Sequence, residues 1–416
     1  MMITNKLQFL ILSLLVFSWA ASPIVTQPWN GHQGAVTFTF DDACQSQVDN
    51  VLPALSERGI TATFFVFQST FTTNQSTWVA AAQGGNEIAN HTLSHTDLTT
   101  LSDASSITAQ VSDWATTLRG LDSSIEAVTL AYPYCNSNTQ VDSLVNKENI
   151  IARTCGGTAQ FTWSNTPSNW MRMTSFIVSD DASYANAISG IQNAATNNTW
   201  FVTLDHGVGG DWLSITAAQA ESMFDEAISD SVWIAPYQTI AAYWRAGLTL
   251  DTVEAVSTDS GWTMSWVSPH TKMPRSVPVR INLDASLLGS NGVLSQNGSE
   301  IAPEEDGSYV IEFMDLHLDV LQKSTEGLEP STESSVFHVQ ALRRNGAIEL
   351  QGLAAGEYVY QLCNLSGRLV EKGSLVSSGT GAVTVSISGK SGVLLLRLTS
   401  EQNASPLWTV LLADGE

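Results

Sequence analysis

The chain has 416 residues, with 17 Lys plus Arg against 40 Asp plus Glu and a formal net charge of −23. That length implies about two to three domains, and a hydrophobic content of 43% is that of a globular chain rather than a disordered one. So acidic a balance argues against nucleic acid and anionic membrane surfaces as partners and suits a neutral ligand.

In chain order, the first segment reads MMITNKLQFLILSLLVFSWAASP. It has a cationic start at Lys6, an apolar run from Leu7 to Phe17, and Ser18 and Ala20 where a signal peptidase wants small residues. The apolar run is shorter than the ~20 residues a membrane helix needs. A signal peptide over residues 1–20 is therefore expected, with an uncleaved anchor as the alternative. The expected location is secreted or cell surface, with no stable membrane span. The cysteines, Cys44, Cys135, Cys155 and Cys363, are too few for a disulfide scaffold. Export permits a bridge; Cys135–Cys155 is the expected pair, although spacing alone does not fix connectivity.

From about Val36 to Ala246 strand-like and helix-like segments alternate. AVTFTF precedes SQVDNVLPALSERG, whose Val48, Val51, Leu52 and Leu55 share a helical face. ITATFFVF has the β-branched and aromatic bias of a buried parallel strand. NEIANH precedes the helical SITAQVSDWATTLRGL, and AVTLAYPY precedes VDSLVNKEN. IIARTC and WFVTLDH are further strands, TAAQAESMFDEAISD is a helix, and VWIAPYQTIAAYWRA closes the unit. This alternation predicts an α/β domain over residues 21–248, a parallel sheet or barrel with its chemistry at the carboxyl ends of the strands. Beyond it the texture becomes period-two, as in RSVPVRINLDASLL and GSYVIEFMDLHLDV, which predicts an accessory β domain over residues 249–330. The polar stretch Gln322–Ser335 reads as a linker, and a β-sandwich is expected over residues 336–416.

Three polar clusters fall at the ends of candidate strands: Asp41 and Asp42 in TFDDA, His91 and His95 in HTLSH, and His206 after WFVTLD. Two adjacent carboxylates leaving a core are explained by a metal, because a cation stabilises one and leaves its neighbour free to act as a base. Two histidines and one aspartate match the three protein ligands of a catalytic zinc site. A lone His-x3-His pair also occurs on solvated helix faces. Three of only seven histidines at these strand ends make the joint pattern far more specific.

The order T-F-D-D, H-T-x-x-H, P-Y after a strand and L-x-H resembles the NodB-homology polysaccharide deacetylase family over roughly residues 34–246. The resemblance implies a distorted (β/α) barrel, here followed by all-β C-terminal domains, that deacetylates sugars with a divalent metal, Zn2+ or else Co2+ or Ni2+. It makes Asp41 the general base, Asp42, His91 and His95 the metal ligands, and His206 the general acid. It also implies that Leu204 lines the pocket for the acetyl methyl and that the backbone N–H of Tyr134 helps hold the oxyanion. The expected partner is an acetylated polysaccharide or oligosaccharide, with N-acetylated GlcNAc-containing glycans such as chitin oligosaccharides as substrate. An acetylxylan-type O-acetyl esterase and a non-catalytic polysaccharide-binding homologue are the alternatives.

The sequence departs from the family at two places. Ala131 stands where the third motif has the arginine that positions the base, and Arg153 at the end of the next strand is the candidate substitute. The fourth motif, an aspartate before tryptophan that tunes the acid histidine, has its nearest echo in Asn169-Trp170. Asp205 is expected to face solvent, with hydrogen bonding to a substrate as the alternative, and Trp163, Trp170 and Trp212 are aromatic candidates for stacking on sugars. The last unit, with GEYVYQLCNLSGRLVEKGSL, a turn at Ser366–Arg368 and a strand from Gly392, resembles the sorting domains of the type IX secretion system. That resemblance implies secretion machinery as a partner. A generic β-sandwich or a carbohydrate-binding module is the alternative for this unit.

Overall fold

The computed structural model describes residues 22–289 and 291–322, then the strands Gln340–Arg344, Ala347–Gln351, Ala355–Asn364, Leu369–Ser378, Ala382–Ser386, Leu394–Ser400 and Asn403–Leu412. The expected signal segment, nearly all of the linker stretch, the turn at Ser366–Arg368 and Gly392 lie outside the described residues. The chain divides into two compact units, Met1–Thr325 and Glu326–Glu416.

The first unit opens with β1 (Ile24–Thr26), β2 (Ala35–Thr37), β3 (Thr39–Asp41), β4 (Thr63–Val66), β5 (Glu87–Asn90) and β6 (Thr129–Ala131). β7 (Ile151–Arg153), β8 (Gln160–Thr162), β9 (Phe176–Ile177), β10 (Thr199–Leu204) and β11 (Trp233–Ile234) follow. Strands β3-β4-β5-β6-β7 lie side by side, all parallel. From β7 the ring continues through a parallel bridge between Arg153 and Met173, passes through β9 to its neighbour β10, and returns to β3 by a parallel bridge between Phe40 and Asp205. The result is a distorted parallel barrel. β10 also pairs with β2, which carries β11 on its other edge, while β8 runs antiparallel along β10.

The strand sequences explain this burial. Every residue of β4 (TFFV) and of β10 (TWFVTL) is buried, as expected for parallel strands covered on both faces. The helices Ala217–Ser229 and Asp181–Asn197 start on reciprocal caps, Thr216 with Gln219 and Asp180 with Ser183. The sequence reading missed the helix Asp181–Asn197, because its buried face is made of the small residues Ala187, Gly190 and Ala194 with Ile191. Gly190 lies so close to the Phe201 ring that a Cβ there would meet it at 2.5 Å.

The helix Tyr237–Leu250 is buried nearly all round, which marks a helix enclosed between layers. Its Trp244 packs with Trp29, Trp163, Trp170 and Trp200. The same core takes in Met264, Ile281, Leu318 and Val320 from the strands that follow, with Trp266 just after one of them. Those strands are β12 (Ala255–Thr258), β13 (Gly261–Ser265), β14 (Pro278–Leu283), β15 (Gly292–Gln296), β16 (Ser299–Ile301), β17 (Tyr309–Glu312) and β18 (His317–Gln322). They form the sheets β1-β14-β17 and β12-β13-β18-β15-β16. In the second unit the described strands pair antiparallel in two sheets. No helix among the described residues is long and apolar enough to cross a membrane.

Candidate active site

Neighbouring residues on a strand point to opposite faces, so two adjacent aspartates do not ordinarily share a cavity. Here the strand ends at Asp41, and Asp42 and Ala43 take left-handed backbone angles, φ 75° and 50°. Such angles are unfavourable for residues with a Cβ and concentrate at functional sites. The turn is held by Asp42 N–H donating to Phe65 O at 3.0 Å and Asp41 N–H to Asp205 O at 2.9 Å. Gln47 Nε2 donates to the carbonyls of both Asp41 and His206. Both carboxylates are consequently buried, at 3% and 5% exposure.

His91 follows β5 directly. The HTLSH run is a loop, not a helix, and it turns through Thr92 (φ 66°) and His95 (φ 57°). Asn90 shapes it by accepting from Thr92 N–H and donating to Val111 O, each at 2.8 Å. The structure brings His91 Nε2 to 3.5 Å and His95 Nε2 to 3.3 Å from Asp42 Oδ1. One ligand atom from each of the three residues lies within 4.8 Å of the others. His91 donates its Nδ1–H to Ala131 O at 2.8 Å, so its Nε2 presents a lone pair to Asp42. Asp42 Oδ1, buried, accepts no hydrogen bond among the described residues. Acceptors converging on one point need a cation between them, and this imidazole and carboxylate set fits a divalent one.

Asp41 forms a buried ion pair through Oδ1 with the Arg153 guanidinium. Arg153 ends β7, lies over the Phe65 ring with 4.6 Å from its central carbon to the ring centroid, and donates to Ser175 Oγ at 3.4 Å. An arginine thus reaches Asp41 from β7, although β6 carries Ala131. His206 follows β10 with Nε2 3.9 Å from Asp42 Oδ2. Its buried Nδ1 has no hydrogen-bond partner among the described residues. Asn169 lies elsewhere: it caps Met171 N–H and donates to Asp142 Oδ2 at 2.9 Å, while Trp170 meets Trp244 edge to face and lies under the Arg245 guanidinium. Trp163 is packed in the core against Trp29 and Trp244.

Leu204 is buried at the end of β10. Tyr134 (φ 57°) turns its exposed ring edge-on to His95, with centroids 4.9 Å apart. The next residue, Cys135, is disulfide-bonded to Cys155, which ties the Tyr134 loop to the loop after β7.

Two features were not anticipated. Asp205 does not face solvent: it is fully buried, with Oδ2 accepting from Thr203 Oγ1 at 2.7 Å and Oδ1 unpartnered among the described residues. The end of β10 has both sides covered, so the residue beside the catalytic candidate has no open side to turn to. Trp212 donates its indole Nε1–H to Asp42 Oδ2 at 2.9 Å. A separation of 170 positions along the chain leaves no local pattern that would reveal the pairing.

Burial disfavours the charge of Asp42, but His91, His95 and His206 outweigh it and hold its pKa at about 2. His91 is also pulled by burial toward its neutral form, yet Asp41 and Asp42 raise its pKa overall. Burial and then the charge of His91 lower that of His95. Burial pushes Asp205 up to about 7 against its bond from Thr203 and the nearby Arg153.

A family model described as Polysaccharide deacetylase matches residues 30–150. That span contains Asp41, Asp42, His91, His95 and Tyr134. Several solved structures are similar. Peptidoglycan deacetylase PdaC from Bacillus subtilis is 20% identical, with 50% of this chain and 90% of that one covered and a TM-score of 0.36. A family 4 carbohydrate esterase from Streptomyces lividans in complex with acetate is 18% identical, with coverage of 49% and 91% and a TM-score of 0.36. The Xyl-CE4 domain of a multidomain xylanase from the hindgut metagenome of Trinervitermes trinervoides is 17% identical, with coverage of 50% and 89% and a TM-score of 0.36. No curated protein matches the chain.

Proposed function

We propose that the chain is an exported, metal-dependent carbohydrate deacetylase that hydrolyses the N-acetyl groups of GlcNAc-containing glycans such as chitin oligosaccharides, with zinc at Asp42, His91 and His95. The observation that carries this reading is the convergence of those three side chains beside an Asp41 held by Arg153. The family match over residues 30–150 supports the same class of reaction. A divalent cation on this set would polarise an acetyl carbonyl and acidify water beside it.

Asp41, oriented by Arg153, takes a proton from the attacking water. The backbone N–H of Tyr134 supports the oxyanion that develops, and Leu204 lines the wall against the acetyl methyl. His206 returns a proton to the departing nitrogen, which leaves poorly as an anion.

One observation favours a second reading. Among the described residues His206 Nδ1 has no carboxylate partner, and an alkoxide leaves with less help from an acid than an amide nitrogen does, so an O-acetyl esterase of the acetylxylan type is the alternative. A lapsed, binding-only homologue is disfavoured by the retained Asp41–Arg153 pair. Export rests on residues 1–20 and is supported by the Cys135–Cys155 bridge, since disulfides persist in oxidising compartments. The type IX resemblance of the last unit makes secretion machinery the proposed partner for that export.

The test is acetate release from N-acetylated chitooligosaccharides and, in parallel, from acetylated xylan, each with zinc, with chelator and with Asp41→Asn. Zinc-dependent release from the chitooligosaccharides, lost in the variant, is expected. Release from xylan alone would move the assignment to the esterase, and release from neither would reject both.

A further inference from the structure

Tyr134 and Trp212 are the exposed aromatic side chains among the described residues, at 65% and 48%. Both lie on the same site, Tyr134 against His95 and Trp212 against Asp42. From this we infer that Trp212 is a two-ended positioning residue: its indole N–H fixes the ligand carboxylate of Asp42, and its exposed ring face carries a pyranose ring of the acetylated glycan. The inference rests on the deacetylase reading and adds to it how the sugar is held.

The first end follows from the two oxygens of Asp42. Oδ1 faces His91 and His95, and Oδ2 accepts from the indole at 2.9 Å. A carboxylate with one oxygen engaged in this way presents a single oxygen to a cation and is held from rotating. Hydrogen bonds from outside the ligand set orient ligands and tune affinity in this manner.

The second end follows from what remains of Trp212. An indole has one donor and no acceptor, and that donor is occupied by Asp42. The exposed part can offer a ligand only its π face and apolar edge. A pyranose with equatorial substituents presents a face of C–H groups and keeps its hydroxyls at the rim. Ligand sites commonly pair such apolar walls with a few fixed polar groups.

The ring is also held in place before any ligand arrives. Ser46, four residues after Asp42, donates its N–H to Asp211 Oδ2 at 2.8 Å and its Oγ–H to Gly210 O at 3.3 Å. The loop closes on itself through Gly207 N–H to Trp212 O at 3.0 Å and Gly209 N–H to Ile215 O at 2.7 Å. A Cβ on Gly207 would lie 2.0 Å from Gly210 O, so only glycine permits this closure. Asp211 and Leu213, on either side of Trp212, are left-handed at φ 61° and 47°. The bound geometry is thus largely prepared, which limits what ordering costs on binding.

Two variants separate the two ends. Trp212→Phe keeps a ring and removes the N–H, whereas Trp212→Leu removes both. Zinc affinity is measured on metal-free protein by competition with a chromophoric chelator. Binding of N-acetylated chitotetraose is measured by calorimetry in the zinc-loaded, non-hydrolysing Asp41→Asn background, and thermal unfolding verifies that each variant is folded. Zinc affinity is expected to fall about tenfold in both variants. Chitotetraose affinity is expected to stay within about threefold of the parent in Trp212→Phe and to fall at least about tenfold in Trp212→Leu. Unchanged zinc affinity in Trp212→Phe, or unchanged chitotetraose affinity in Trp212→Leu, would overturn the inference alone. A parent that binds neither zinc nor chitotetraose would overturn the deacetylase reading and this inference with it.

Discussion

The two ends of the barrel both bury carboxylates, and they treat them in opposite ways. At the amino end of β5, Glu87 accepts from Thr63 Oγ1 and Gln238 N–H on one oxygen and from Thr129 Oγ1 on the other. At the carboxyl end, Asp42 Oδ1, Asp205 Oδ1, His206 Nδ1 and Arg153 Nε are buried without hydrogen-bond partners among the described residues. A buried polar group left unpaired is expensive, so the satisfied acid Glu87 reads as structural, although Tyr237 OH and Gln238 Oε1 near it are also unpartnered among the described residues. The unsatisfied acids Asp42 and Asp205 beside basic groups read as a functional cluster. Five residues with left-handed backbone angles, Asp42, Ala43, Thr92, His95 and Tyr134, lie at that same end, while others such as Ala127 and Asn198 precede β6 and β10.

The two ends should differ most in catalysis. Asp41→Asn is expected to lower kcat by about 10²–10⁴-fold while the protein stays folded, as steady-state assays and circular dichroism would show. Glu87→Gln is expected to leave kcat within about twofold, because its hydrogen-bond partners Thr63, Gln238 and Thr129 are not residues of the candidate site. A large loss of activity in Glu87→Gln would erase the distinction between the ends.

Stability gives the next effect. Removing one member of a buried ion pair leaves the other charge uncompensated, so Arg153→Met is expected to cost about 3–5 kcal/mol in urea unfolding. Adding Asp41→Asn should recover part of that loss, because the stranded charge is then gone. Glu87→Gln is expected to cost about 1–3 kcal/mol by the same measurement, since the amide nitrogen cannot accept what the carboxylate accepted.

The smallest expected effect is a pH slope. Asp205 has its pKa raised from the ordinary 3.8 to about 7 by burial. The folded chain therefore holds a proton that the unfolded chain releases. The resulting stability is fully present below pH 3.8 and is lost as pH rises to about 7. In metal-free protein, Asp205→Asn should flatten this slope in thermal unfolding between those limits. An unchanged slope would mean that Asp205 does not titrate there.

The contrast between the ends was only partly legible in the sequence. TFDD and HTLSH could be read because their residue types bear on one chemistry and each follows a strand-like run. Arg153 could be suggested because it ends the strand after the one that carries Ala131, and neighbouring strands in a parallel barrel point their ends at the same site. Asp205 could not, since a charged residue beside a loop ordinarily turns to water, and only the closed ring removes that option. The bond from Trp212 to Asp42 could not, since it joins two loops far apart in the chain, and the sequence offers Trp212 only as one of three aromatic candidates for stacking. Glu87 left no mark either, because its three partners come from three different segments.

Whether Asp42, His91 and His95 hold a divalent cation is tested most directly by anomalous diffraction at the zinc edge from crystals grown with one equivalent of zinc. A single strong peak within bonding distance of Asp42 Oδ1, His91 Nε2 and His95 Nε2 is the predicted result. A peak elsewhere, or none between these three side chains, would contradict it.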